Sequence, residues 1–132
     1  MDRKIYQKLL VWKEKNSKMP YMLVGARQTG KTYILTNFCK NEFKNYLYLN
    51  LDSMPEIKEI FETTIEPERI IKSIEAILSI NIDIENTIIF IDEIQVSEKA
   101  ICSLKYFCES ESNYKIVVAG SLLGVKINRF KS

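Results

Sequence analysis

The chain has 132 residues, of which 46% are hydrophobic and 27% are charged, and its formal net charge is +2. This balance excludes a disordered, low-hydrophobicity protein and predicts one compact domain over residues 1–132. A pI near 8.4 gives no field strong enough to indicate nucleic acid, so the small lysine cluster before residue 20 is interpreted as a solvated face.

Two further absences in the sequence narrow the functional classes. No apolar run approaches the roughly 18 residues that a membrane span needs, and the charged start of the chain is unlike a secretory signal, so a cytoplasmic protein is expected. The chain has no histidine, which excludes imidazole-based hydrolysis and leaves a carboxylate as the base. Cys39, Cys102 and Cys108 lack Cys-x-x-Cys spacing and are expected to be buried, reduced thiols.

The first predicted elements are a helix over Arg3 to Lys15 and a strand that begins after Pro20. Trp12 lies on the apolar face of this helix and is assigned to the core rather than to an adenine-covering role. A glycine-rich loop follows the strand and leads into a second helix with apolar residues at helical spacing. The order strand, loop, helix is the context in which a phosphate-binding loop functions.

The loop matches the pattern G-x-x-x-x-G-K-[ST], whose glycines let backbone N–H groups surround a phosphate at a helix N-terminus. Lys31 is predicted to reach the β- and γ-phosphates, and the Thr32 hydroxyl to supply a ligand to Mg²⁺. The nucleotide-contacting residues are predicted to be Gly25, Ala26, Arg27, Gln28, Thr29, Gly30, Lys31, Thr32 and Tyr33. These residues predict ATP and Mg²⁺ as cofactors.

The central part of the chain is predicted to form a strand over Asn45 to Asp52, a short helix over Pro55 to Glu62, and a longer helix opened by Pro67. An unbroken apolar run from Thr87 to Ile91 then predicts a strand buried on both faces. It ends in Asp92 and Glu93, where ligands of open α/β sheets bind. Asp92 is predicted to hold Mg²⁺ and Glu93 to polarise the attacking water. The alternative interpretation is that both acids only cap the next turn.

The last elements are a helix with Ser97 as its N-cap and a strand beginning at Tyr114. Ser121 follows this strand and is predicted to sense the γ-phosphate or the water. The order α, β, α, β, α, α, β, α, β predicts an α/β protein whose parallel sheet lies between layers of helices.

Four segments together resemble the AAA-type ATPase domain of a prokaryotic family in the AAA+ superfamily: the phosphate loop, Tyr48-Leu49-Asn50-Leu51-Asp52, Ile89-Phe90-Ile91-Asp92-Glu93-Ile94-Gln95 and Ala119 to Gly124. The resemblance implies a three-layer P-loop NTPase with strand order 1-4-3-2. It makes Asn50 a candidate to hold the catalytic glutamate, with an ordinary edge residue of the strand as the alternative. It also implies that the fifth strand, the helical lid and a C-terminal domain are missing from residues 1–132. Arg129 is interpreted as a surface arginine rather than an arginine finger.

The leading functional hypothesis is Mg²⁺-dependent ATP hydrolysis used as a conformational switch, with Lys31, Glu93 and Ser121 as the catalytic residues. The alternative is a nucleotide-gated binding module with little or no turnover. A GTPase is less well supported because no Asn-Lys-x-Asp element is present, and the Asp-Glu pair favours water over the acceptor alcohol of a small-molecule kinase. The expected partners are ATP or ADP, an effector or C-terminal domain, and a second copy of the chain.

Overall fold

A computed structural model describes residues 3–25 and 30–121, except for the side chain of Lys31. The described elements alternate in the predicted order, with one additional 3₁₀ helix at Ile94–Val96. The helices are α1 (Arg3–Glu14), α2 (Lys31–Glu42), α3 (Pro55–Thr63), α4 (Pro67–Leu78) and α5 (Glu98–Glu109). The strands are β1 (Tyr21–Gly25), β2 (Asn45–Asn50), β3 (Thr87–Asp92) and β4 (Lys115–Ser121).

Local sequence explains where several elements begin and end. Pro55 and Pro67 are the first residues of α3 and α4, where the missing N–H of proline costs no hydrogen bond. Strand β2 ends two residues earlier than predicted because the Asn50 side chain turns the backbone: its Oδ1 accepts from the N–H groups of Asp52 at 2.9 Å and Ser53 at 3.0 Å.

The four described strands form a parallel sheet in the order β1-β4-β3-β2, which confirms the predicted topology. The last strand along the chain is therefore inserted between the first and the third. This insertion places the end of β4 between the end of β1, where the phosphate loop starts, and the end of β3, which carries the acidic pair.

Helices cover both faces of the sheet and make the predicted three layers. Alternate residues of β3 enter two separate cores, because successive side chains of a strand point to opposite faces. Ile88 and Phe90 pack with α1 and α2, whereas Ile89 and Ile91 pack with α3, α4 and α5. Every residue of β3 is buried, as the apolar run predicted.

Trp12 is in the first of these cores, which confirms its assignment to the interior. Its indole N–H donates to the Met19 carbonyl at 2.7 Å, and its ring lies against Tyr21 and Phe38. Buried indoles need such a partner for their N–H.

The predicted burial of the cysteines was correct for one residue of three. Cys39 is fully buried, and desolvation raises the pKa of its thiol to about 12. Cys102 is exposed and Cys108 is half-buried, although neither forms a disulfide. The reason is geometric: α5 turns its apolar stripe to the sheet, so Cys102 points to solvent between two buried neighbours.

Across residues 3–25 and 30–121, we find no helix with the length and apolar character that crossing a bilayer requires.

Candidate functional site

The candidate site lies where the carboxyl ends of the four strands meet. The register pairs Gly25 of β1 with Ser121 of β4, and Asn50 of β2 with Asp92 of β3. Parallel strands all end at the same edge of a sheet, so residues from four distant parts of the chain line one rim.

The phosphate loop enters the site from β1 and leaves it into α2. Gly25 is the last residue of β1, and Gly30 caps the N-terminus of α2 with a left-handed backbone at φ 77°. Glycine adopts this conformation at little cost, whereas other residues do not. The predicted nucleotide contacts of Ala26, Arg27, Gln28, Thr29 and the Lys31 side chain lie outside the described residues.

Asp92 is the most highly connected acid of the site. It is 5% exposed, and its Oδ2 accepts two hydroxyl donors: Thr32 Oγ1 at 3.1 Å and Tyr48 Oη at 2.7 Å. Its Oδ1 accepts from the backbone N–H of Glu93 at 2.9 Å. The predicted magnesium pair of Thr32 and Asp92 is therefore in direct contact across residues that are 60 positions apart in the sequence.

Tyr48 is a site residue that the sequence interpretation missed. Burial and the hydrogen bond to Asp92 both raise the pKa of its phenol, so the hydroxyl remains a donor. The Asn50 side-chain amide donates to Tyr48 Oη at 3.1 Å, which completes a chain from Asn50 through Tyr48 to Asp92. The available signal was the alternation of β2, which puts residues 48 and 50 on the face that α2 covers.

Glu93 follows Asp92 in an unusual backbone conformation. Its φ of 56° and ψ of 45° are left-handed, which costs about 1–2 kcal/mol for a residue with a Cβ. The chain then turns directly into the 3₁₀ helix. Such a conformation at the end of a central strand re-aims the following side chains toward the rim of the sheet.

Gln95 is the second residue that the sequence interpretation missed as a site component. Its Nε2 donates to Glu93 Oε1 at 2.6 Å, and its Oε1 accepts from the Ser121 backbone N–H at 3.1 Å. The resemblance suggested Asn50 as the partner of the glutamate. In the structure Gln95 makes this contact, and the Asn50 side chain bonds Tyr48 and the turn after β2.

Gly120 is needed for this packing. A Cβ at Gly120 would lie 2.7 Å from Ile94 Cγ2 and 2.9 Å from Gln95 Oε1, closer than side chains tolerate. The 3₁₀ helix therefore rests directly on the backbone of β4.

Of the other residues that the sequence singled out, the structure describes Ser121 and Tyr33. Ser121 ends β4, half-buried, and is joined to Glu93 through Gln95. Tyr33 lies in the first turn of α2 with 61% of its surface exposed. Arg129 and Gly124 lie outside the described residues.

The donor set beside α2 suits a small, hard cation. Mg²⁺ prefers oxygen ligands and retains several waters, and the hydroxyl of Thr32 and the carboxylate of Asp92 offer adjacent oxygens. Asp92 is buried, and its Oδ2 is within hydrogen-bond distance of Thr32 in the first turn of α2. The residues present therefore fit a magnesium ion.

Comparison with known proteins identifies the family. Residues 17–131 match the family described as AAA domain, which is most of the chain. This chain belongs to the AAA domain family. Membership supports an ATP-binding P-loop function for the AAA domain described here.

A solved structure agrees with the fold. The chain is similar to the Walker-type ATPase PABY2304 of Pyrococcus abyssi, with a TM-score of 0.52 and 19% sequence identity. The similarity covers 90% of this chain and 45% of that protein, so this AAA domain spans less than half of the matched ATPase. No curated protein sequence matches the chain significantly.

Proposed function

We propose that this AAA domain binds ATP with Mg²⁺ and hydrolyses it, and that the two nucleotide states act as a conformational switch. The observation that carries the proposal is the contact between Thr32, in the first turn of α2, and Asp92, at the end of β3, with Glu93 next in the chain. A hydroxyl and a carboxylate at the N-terminus of one helix, with a second carboxylate next in the chain, are suited to a metal–phosphate complex and a water.

The phosphate loop binds and orients the triphosphate. Its backbone N–H groups and Lys31 neutralise phosphate oxygens, and the positive end of α2 adds to this field. When bound, Mg²⁺ would neutralise charge on the phosphate oxygens, with Thr32 and Asp92 as the residues that hold it. Tyr48 keeps the Asp92 carboxylate turned toward α2.

Glu93 is the proposed base. The water oxygen forms a bond to the γ-phosphorus as the bond from phosphorus to the bridging oxygen of ADP breaks, and the Glu93 carboxylate accepts the proton that the water loses. Ser121, at the end of the neighbouring strand, is proposed to contact the γ-phosphate or this water.

The test separates binding from turnover. Lys31→Ala should weaken ATP binding about 10- to 150-fold, because a charge-assisted contact contributes about 1.5–3 kcal/mol. Glu93→Gln should retain ATP affinity and lose phosphate release. Titration calorimetry and a phosphate-release assay measure the two effects.

Two exposed residues provide matched controls for charge. Lys40→Ala, at the far end of α2, and Glu109→Gln, at the end of α5, make the same charge changes away from the rim and should leave both measurements unchanged. Equal ATP affinity in Lys31→Ala and the parent would contradict the nucleotide site. A parent that binds ATP without releasing phosphate would instead support the nucleotide-gated binding module.

We also propose that the nucleotide state acts on a further domain or on a second copy of this chain. The AAA domain spans 45% of the matched ATPase, and this difference in length supports only the further domain. Size-exclusion chromatography with light scattering, with and without Mg·ATP, tests the second copy: a mass that does not change on ATP addition would contradict nucleotide-driven self-association.

A further inference from the structure

The side-chain amide of Gln95 connects two residues of the proposed site, Glu93 after β3 and Ser121 at the end of β4. Its Nε2 donates to the Glu93 carboxylate at 2.6 Å, and its Oε1 accepts from the Ser121 N–H at 3.1 Å. Both the nitrogen and the oxygen of one amide are therefore hydrogen-bonded, the nitrogen to Glu93 and the oxygen to Ser121.

The chemistry of the partners fixes the orientation of this amide. A backbone N–H can only donate, so Ser121 requires the oxygen of Gln95; an ionised carboxylate can only accept, so Glu93 requires the nitrogen. Flipping the amide would break both hydrogen bonds at once. Gln95 is therefore held in one orientation by two partners of opposite character.

The fold brings the bridge together by two backbone features. The left-handed conformation of Glu93 starts the 3₁₀ helix immediately, which returns Gln95 to the rim two residues after the acid. The missing side chain of Gly120 then lets the amide approach β4. Since Ser121 pairs with Gly25, where the phosphate loop begins, the bridge extends from Glu93 to the strand beside that loop.

We propose that Gln95 is a positioning residue for Glu93 in this site, an inference that rests on the proposed hydrolysis. The Gln95 amide holds Glu93 Oε1, which leaves the direction of the second carboxylate oxygen, Oε2, fixed for the water.

The kinetic test uses Gln95→Met, which retains the length of the side chain and removes both hydrogen bonds. We expect kcat to fall about tenfold or more, because a base that loses its orientation loses part of its roughly 10²–10⁴-fold contribution. KM for Mg·ATP should stay near the parent value. The matched control is Gln7→Met, an exposed glutamine of α1, which should leave kcat unchanged.

A second variant separates the two ends of the bridge. Gln95→Glu retains an acceptor for the Ser121 N–H but cannot donate to Glu93, so its kcat should be as low as that of Gln95→Met. A parent-like kcat in Gln95→Met, or a higher one, would overturn the inference. A rise in KM with unchanged kcat would also overturn it, since that result indicates nucleotide binding rather than positioning.

A measurement without nucleotide distinguishes this inference from the proposed function. In proton–nitrogen NMR spectra, Glu93→Ala should shift the side-chain NH₂ signals of Gln95, and Gln95→Met should shift the Ser121 amide signal and accelerate its hydrogen exchange. A parent protein without ATP turnover would overturn hydrolysis itself. Gln95 signals that do not respond to Glu93→Ala would overturn the bridge, whatever the turnover.

Discussion

Helices α2 and α5 both begin at the rim that carries the candidate site, and their first turns are satisfied in different ways. At α5, Ser97 accepts from the Ala100 N–H at 3.0 Å and donates to Glu62, and Glu98 adds an acid in the first turn. At α2, Gly30 supplies no side-chain cap, and the first turn contains no acid.

The difference indicates which helix N-terminus is prepared for a ligand. The first N–H groups of a helix lack partners within it and attract negative charge. At α5, the protein's own side chains supply both the acceptor for these N–H groups and the acid in the first turn. Helices α3 and α4 begin with proline, which has no N–H. At α2, by contrast, the sequence supplies a glycine, a lysine and a threonine, which suits an external anion.

The largest effect that would sharpen this contrast is expected for Thr32→Val, which retains shape and removes the hydroxyl. When Mg²⁺ is present, the affinity for ATP should fall roughly 30-fold, which is about 2 kcal/mol of binding free energy. The reason is that the Thr32 hydroxyl supplies both a proposed metal ligand and a hydrogen bond to Asp92, and both are lost together. Calorimetric titrations with and without Mg²⁺ measure it. Thr63→Val, at the exposed end of α3, is the control. An equal loss in the absence of Mg²⁺ would contradict the metal role.

At α5, Ser97→Ala should reduce stability and leave nucleotide binding unchanged. Loss of the cap and of the Glu62 partner should lower the free energy of unfolding by about 1.5 kcal/mol, measured by urea denaturation. Ser97→Thr retains the hydroxyl and should recover most of the loss. A weakened ATP affinity in Ser97→Ala would show that the two N-termini are not independent.

A smaller effect is expected for Gly30→Ala at the start of α2. A Cβ there meets no atom within 4 Å, so the cost comes from the left-handed backbone alone and should be about 1 kcal/mol of unfolding free energy. Gly25→Ala is the control, because its Cβ also meets open space and its φ is not positive. Equal stability in the two variants would contradict the assigned conformation of Gly30.

The smallest expected effect is a difference in how stability depends on pH between the contacts of two carboxylates, Asp92 beside α2 and Glu62 beside α5. The Asp92 carboxylate accepts a hydrogen bond from Tyr48, which is titratable. Burial and this hydrogen bond raise the pKa of Tyr48 above 10. The Glu62 carboxylate instead accepts a hydrogen bond from the Ser97 hydroxyl. A phenol whose pKa is higher in the folded state stabilises the fold at pH values below its unfolded pKa of about 10. This contribution is lost as the pH increases above that value.

Tyr48→Phe should therefore flatten part of the alkaline decrease in the free energy of unfolding, measured by urea denaturation between about pH 9 and about pH 11. Ser97→Ala should not alter that slope. Identical alkaline slopes in Tyr48→Phe and the parent would contradict the shifted phenol.

The sequence predicted those features that one local pattern encodes. The buried run ending in Asp92, the prolines that open α3 and α4, and the cap at Ser97 all agree with the structure, because each depends on neighbours in the chain. Cys102 was assigned to the interior wrongly, since composition and spacing of cysteines do not determine which way a helix faces.

Contacts between strands were beyond such patterns. Tyr48 reads as an ordinary strand tyrosine until β2 is placed beside β3 in the observed register, opposite Phe90 and within reach of Asp92. Gln95 reads as part of a short motif until the left-handed turn at Glu93 and the bare backbone of Gly120 bring its amide between two strands.

The amino-acid sequence by itself determined the alternation of strands and helices, the glycine-rich loop and the acidic pair, because hydrophobic period and turn chemistry act over a few residues. Only the tertiary structure decided which donors hold those acids. Hydrogen bonds act over about 3 Å, and the partners of Asp92 and Glu93 come within that distance only after the sheet and its 3₁₀ turn have formed.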